Sequence, residues 1–330
     1  MSTLELGGKL SSSWSLAVNN LTSVAVLVFV FGFLAARLKS DVRIPDAAYQ
    51  LISIYLLFGI GLKGGHALKD VTLGSFWKAA ITTLALGVVI PFFAYGALKL
   101  IKKLNPVDRG AIAAHYGSTS LVTFSAALLF LENNGLKVEG YATALLTLLE
   151  IPGLIVGVYL GSRFGHKQVA WNKTLTEVAT GKTVLLLVGG LIIGSITTNS
   201  GYEKVTPFFI DLFNGFLVLF LLHVGYLAGS NWIEIRKVGA PLALFGTIFP
   251  IFAGALGAVT GSWIGLSVGG AAILGVLCAS ASYIAAPAAV SIGLPEANAS
   301  LALMSSIGIT FPFNLVLGIP IYVEIAKFFA

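Results

Sequence analysis

Residues 117–135 read GSTSLVTFSAALLFLENNG. Ser118, Thr119, Ser120, Thr123 and Ser125 crowd the opening of a run that is otherwise apolar and holds no evident catalytic acid, base or nucleophile. Their meaning depends on the medium around them, and composition supplies it. The 330-residue chain is 57% hydrophobic and only 10% charged, where soluble domains carry about 25% charged residues. Its mean hydropathy is +0.93. Apolar runs near the ~20 residues that a membrane helix needs recur along nearly its whole length, so the chain reads as an all-α integral membrane protein. In lipid an unmet hydroxyl or backbone group costs several kcal/mol, and such groups survive only when buried in protein or facing a water-filled cavity.

Charge, Gly and Pro punctuate the apolar runs into ten expected transmembrane helices: Leu21–Leu38, Ala47–Gly64, Trp77–Leu100, Gly110–Leu131, Tyr141–Gly161, Thr183–Thr197, Pro207–Gly229, Ala240–Trp263, Gly265–Val290 and Ala297–Phe329. The N-terminal MSTLELGGKLSSSWS is polar, and the first run is too long for a signal peptide and lacks a cleavage site, which predicts a permanent span. Most of the 20 Lys and Arg fall in alternate loops, among them Arg37 to Arg43, Lys99 to Arg109 and Arg163 to Lys182. By the positive-inside rule this places those loops in the cytoplasm and both termini outside, and it accounts for the net charge of +6 without nucleic acid. A single cysteine, Cys278, excludes an internal disulfide or a multi-cysteine metal cage. No HExxH, P-loop or Ser/His/Asp ordering is present, which predicts neither an enzyme, nor an ATP-driven pump, nor a bound organic cofactor.

The chain also repeats itself. FGIGLKGG at 58–65 aligns with LHVGYLAG at 222–229, and Pro91 and Pro152 meet Pro250 and Pro312 at nearly the same offset. Each half would hold five spans, an odd number, so the halves lie in opposite orientations as two inverted five-helix repeats, residues 1–162 and 183–330, joined by a polar cytoplasmic linker at 163–182. The repeat gives the opening stretch a partner, CASASYIAAPAAVSIG at 278–293, where Pro287 is expected to disrupt the span. Two polar, helix-breaking segments at equivalent positions point to a midplane substrate site. Gly117, Ser118, Thr119, Ser120 and Thr123 on one side and Ser280, Ser282 and Tyr283 on the other are its expected residues. Small residues, hydroxyl donors and half-helix N-termini suit a small oxyanion, although close helix packing also favours small residues. Glu150, beside the expected break at Pro152, is the clearest ionisable residue inside a span and offers oxygen to a hard cation such as sodium; an interfacial position near a helix end is the alternative. His115 and His223 are expected to be helix-packing contacts.

GIGLKGGHAL, GSTSLVTFSAALLFLE, LLEIPGLIVG and above all ASASYIAAPAAVSIGLPEANASLALMSSIGITFPFNLVLGIPIY resemble the SbtA-type sodium-dependent bicarbonate transporters of cyanobacteria and other bacteria, from about Leu21 onward. The resemblance implies broken helices in a core domain beside a gate domain, elevator-like movement, a homotrimer surrounded by lipid in the bacterial inner membrane, and import of bicarbonate with sodium as coupling ion. It implies cation-coupling roles for Glu150, Ser305, Ser306 and Thr310, and a PII-like regulatory partner known for some relatives. Two positions depart from it. Relatives carry a Ser-Ser-Ser-Asp run where this chain has Ser280, Ala281, Ser282 and Tyr283, and Glu150 stands where they have Asp. The expected function is thus sodium-coupled uptake of a small anion, with a sodium/proton exchanger or a non-transporting anion sensor as alternatives.

Overall fold

A computed structural model describes residues 18, 20–165, 170–237 and 239–330. The polar N-terminal stretch, and residues 166–169 of the linker with Lys167, lie outside them. Among the described residues all regular structure is helical. In chain order the helices are α1 Val24–Arg37, α2 Asp46–Ala67, α3 Leu73–Leu98, α4 Pro106–Gly117, α5 Leu121–Asn133, α6 Ala142–Ser162, α7 Trp171–Thr180 and α8 Lys182–Ile196. They continue as α9 Asn199–Ser230, α10 Trp232–Lys237, α11 Ala240–Trp263, α12 Val268–Ala279, α13 Ala286–Gly293 and α14 Ala299–Phe329, with π-helical turns at Pro207–Asp211 in α9 and at Ser306–Thr310 and Asn314–Gly318 in α14.

Seven segments are long and apolar enough to cross a membrane, and an eighth is added if α7 and α8, bent by 46°, form one span. The expected first and ninth spans fall on the shorter apolar helices α1 and α12. Length is lost in α12 because it stops at the Ser280 break, and α13 continues beyond.

Two expectations about proline are corrected. Glu150 does not border a break at Pro152: α6 runs unbroken from Ala142 to Ser162. Neighbouring helices can satisfy the carbonyl that an internal proline frees. Nor does Pro287 interrupt a helix. It occupies the first turn of α13, where a missing N–H leaves nothing unsatisfied, and the chain is already non-helical before it.

Packing divides the helices into two groups. In the first, α2 lies along α8 and α1 along α9. In the second, α3 and α6 flank α4, and α11 and the end of α14 flank α12. The pairings of the first group join the two halves of the chain, whereas α3, α4 and α6 come from the first half and α11, α12 and α14 from the second. The starts of α4 and α12 are tied down alike, by carboxylates: Asp108 accepts the Asn298 N–H at 2.7 Å, and Glu139 accepts the Ser267 N–H at 2.6 Å. The linker carries α7, whose Val178 packs against Leu154 of α6 and Ala286 and Ala289 of α13.

Candidate functional site

The opening stretch folds as a break. Helix α4 ends at Gly117, α5 begins at Leu121, and the residues between them face the non-helical stretch that separates α12 from α13. The interruption exposes two helix C-termini and two N-termini, and one group of each is bonded to protein. At the carbonyl ends, His115 O accepts the Ser282 N–H at 2.8 Å, and Ala279 O accepts the Asn314 side-chain amide at 2.9 Å. Asn314 is itself held by the Tyr322 hydroxyl at 2.8 Å. The amide ends are capped by serines. Ser120 Oγ accepts the Thr123 N–H at 3.2 Å and Ser282 Oγ accepts the Ala286 N–H at 3.3 Å. A cap satisfies one donor and Pro287 has none to offer, so the remaining first-turn N–H groups, mainly those of α5, are oriented out of the helix end with its partial positive charge.

The two breaks are also bonded to each other. The Ser120 N–H donates to Ser280 Oγ at 3.0 Å, and Ser280 passes its own proton to Leu277 O at 3.0 Å. His115 Nδ1 lies 2.7 Å from Ser282 O. A carbonyl can only accept, so the ring proton sits on Nδ1. His115 is therefore a bonded clasp across the crossing rather than a simple packing contact, and together with the Ser282 N–H it pins residues 115 and 282 twice.

A cavity of about 10 Å³ lies at this crossing, lined by Thr119, Ser120, Leu121, Glu150, Thr183, Ser282, Tyr283 and Ile284. That is room for about one water. Glu150 is 2% exposed and receives the Thr119 hydroxyl at 3.3 Å. It is buried well inside α6, not at an interfacial helix end. Its carboxylate thus shares a wall with residues at the starts of two half-helices, a combination whose charges suit a cation and an oxyanion. Tyr283 is buried too; its hydroxyl lies beside Ser120 with no hydrogen-bond partner among the described residues, and its ring meets Phe311 edge-on at 5.7 Å.

The expected residues do not all reach this cavity. Thr119, Ser120, Ser282, Tyr283 and Glu150 line it. Ser280 stands behind Ser120 as its acceptor, Thr123 contributes its backbone to the cap, and Ser118 is buried with an unpartnered hydroxyl. Gly117 packs: a Cβ there would sit 3.0 Å from Gly153 Cα in α6. Ser305, Ser306 and Thr310 lie on α14 behind the cavity, Ser306 Oγ standing 3.5 Å from His115 Nδ1. Ser305 and Ser306 donate back to Ala302 O, at 3.0 and 2.9 Å, and Thr310 donates to Gly246 O at 2.7 Å while accepting the Tyr116 hydroxyl at 2.7 Å. Thr183 was missed. As the first residue of its apolar run it reads as interfacial, and only the packing of α8 against the crossing brings it to the wall.

Comparison with curated proteins returns no match. The family model described as the Na+-dependent bicarbonate transporter superfamily matches residues 24–327. That span holds both breaks, Glu150 and every other residue of the cavity wall, and the chain belongs to the Na+-dependent bicarbonate transporter superfamily.

Proposed function

We propose that the protein imports bicarbonate by sodium symport, binding the anion at the crossing of the two broken helices and sodium beside it at Glu150. The observation that carries this is the convergence at the crossing: the serine-capped amide ends of the two breaks and one carboxylate meet at a single cavity, while one terminal carbonyl of each break is bonded to a protein group. Oriented N–H groups favour an anion without a fixed counter-charge, and the carboxylate favours a hard cation. Thr119 would hold the Glu150 carboxylate in place, and sodium would neutralise it before the loaded site moves.

Bicarbonate has four heavy atoms and needs more room than about one water, so the site widens before binding. Two bodies moving against each other, α1, α2, α8 and α9 against α3 to α6 and α11 to α14, would supply that room. The matched pairings of the two halves and the matched carboxylate anchors at α4 and α12 support a ten-span inverted repeat. A homotrimer, termini outside, a bacterial inner-membrane location and a PII-like partner are carried by family likeness.

In proteoliposomes, an inward sodium gradient is expected to drive bicarbonate uptake, and Ser120→Ala and Ser282→Ala to weaken it severalfold. Uptake that persists unchanged when choline replaces sodium excludes symport. A second reading, sodium/proton exchange, is favoured by the isolation of Glu150 with Thr119 as its only hydrogen-bond partner among the described residues. Alkalinisation of the vesicle lumen by an inward sodium gradient without bicarbonate, lost in Glu150→Gln, is its signature.

A further inference from the structure

Helices α3 and α11 meet where the rings of Phe93 and Phe252 touch edge-on, 5.3 Å apart. From that contact a groove of about 690 Å³ runs toward the end of α3, walled by Phe92, Phe93, Phe245, Phe249 and Phe252. Gly96 lies in it, and a Cβ at this position would meet nothing within 4 Å. A glycine here weakens the helix relative to alanine, and no neighbouring group of the protein requires it; what it leaves is space.

Cationic residues adjoin the groove's lining in sequence. Leu100 and Ile101, which line it, stand between Lys99 and Lys102–Lys103, and Arg236 and Lys237 precede Pro241 on the other wall. Lys237 is paired with Glu234 at 2.6 Å, and Lys99 lies over the Tyr95 ring. Lys102, Lys103 and Arg236 are exposed. The nearest acid in sequence to the lysines, Asp108, already accepts from Asn298 and Asn105 with its two oxygens. An exposed apolar groove whose two walls each adjoin cations in sequence matches a molecule with a long apolar chain and an anionic head.

We propose that this groove is a binding site for one anionic phospholipid, with an acyl chain along the aromatic walls and the phosphate at Lys102, Lys103 and Arg236. Basic recesses between membrane helices select anionic headgroups in this way. The site abuts the transport machinery, because Phe245 and Phe249 are backed by the Tyr116 ring at 4.9 and 5.9 Å, one residue from the end of α4.

The test is native mass spectrometry of the full chain titrated with phosphatidylglycerol and, separately, phosphatidylcholine. One phosphatidylglycerol per chain is expected to bind in preference to phosphatidylcholine. Lys102→Gln, Lys103→Gln and Arg236→Gln should each weaken it about fivefold. Gly96→Leu should exclude it by filling the groove, while Gly189→Leu, where a Cβ also meets open space on α8, should leave it bound. Equal binding of the two lipids, undiminished binding in Gly96→Leu, or a change of oligomeric state in Gly96→Leu, which would mean that a second copy fills the groove, overturns the proposal.

Discussion

At the scale of single residues, the site separates side chains that position the backbone from those that face the ligand. Gly153 belongs to the first kind. A Cβ on it would run into the Gly117 carbonyl, and backbone on both sides leaves no flexible group to yield. Gly153→Ala should destabilise the protein by about 1–3 kcal/mol and push the end of α4 away from α6, read as a lower melting temperature together with weaker anion binding. A normal melting temperature would mean that the two helices part freely. Glu150 belongs to the second kind. Glu150→Gln keeps its shape and its place beside Thr119 but removes the charge, so the fold should survive and the sodium dependence of bicarbonate binding should vanish, as calorimetry with and without sodium would show. If sodium still strengthens binding in that variant, the cation sits elsewhere, and the α14 hydroxyls Ser305, Ser306 and Thr310 become its candidates. Tyr283, where the family resemblance predicts an acid, brings to the wall a hydroxyl without a partner among the described residues; a phenol donates a hydrogen bond at neutral pH where a carboxylate would repel an anion.

At the scale of elements, legibility followed the range of the interactions concerned. The helical segments and their order could be read from hydropathy, because a membrane forces every spanning backbone to satisfy itself. The opening break was legible because hydroxyls in an apolar run demand an explanation. The proline readings failed for the opposite reason: a proline permits a break without compelling one, and what decides is whether neighbouring helices satisfy the freed carbonyl. Pro152 lies within unbroken α6, and Pro287 begins α13. It follows that the second break is made by Ser280, Ser282 and their bonds, not by the ring. Pro287→Ala should therefore cost less than about 1 kcal/mol and leave uptake nearly intact, whereas Ser282→Ala, which removes the cap, should cost about 1 kcal/mol and depress uptake. A Pro287→Ala protein that melts early and does not transport would restore the ring to its expected role. Thr183 and the His115 clasp were illegible because they depend on contacts between residues far apart in sequence.

At the scale of the whole molecule, the small cavity and the two helical groups describe one problem. An anion of the proposed size cannot enter a space of about 10 Å³ unless the crossing widens, and the residues at the crossing come mainly from one of the groups. The other contributes Thr183 from α8, so part of the wall must move relative to the rest. The groups also touch where α2 meets the α5–α6 connection: a Cβ on Gly140 would lie 2.9 Å from the Ala67 Cβ, and relaxation of about 1 Å brings such a pair into disulfide range. The native Cys278 is buried and should not compete. Oxidising an Ala67→Cys, Gly140→Cys protein is expected to fasten the groups together, abolish sodium-driven uptake and spare the melting temperature, with a reductant restoring transport. The comparison also separates movement from local breathing. If a fully formed bridge leaves uptake unchanged, relative motion of the two bodies at this contact is not part of the cycle, and the site must open by rearrangement within the crossing itself, at Tyr283 and Ile284.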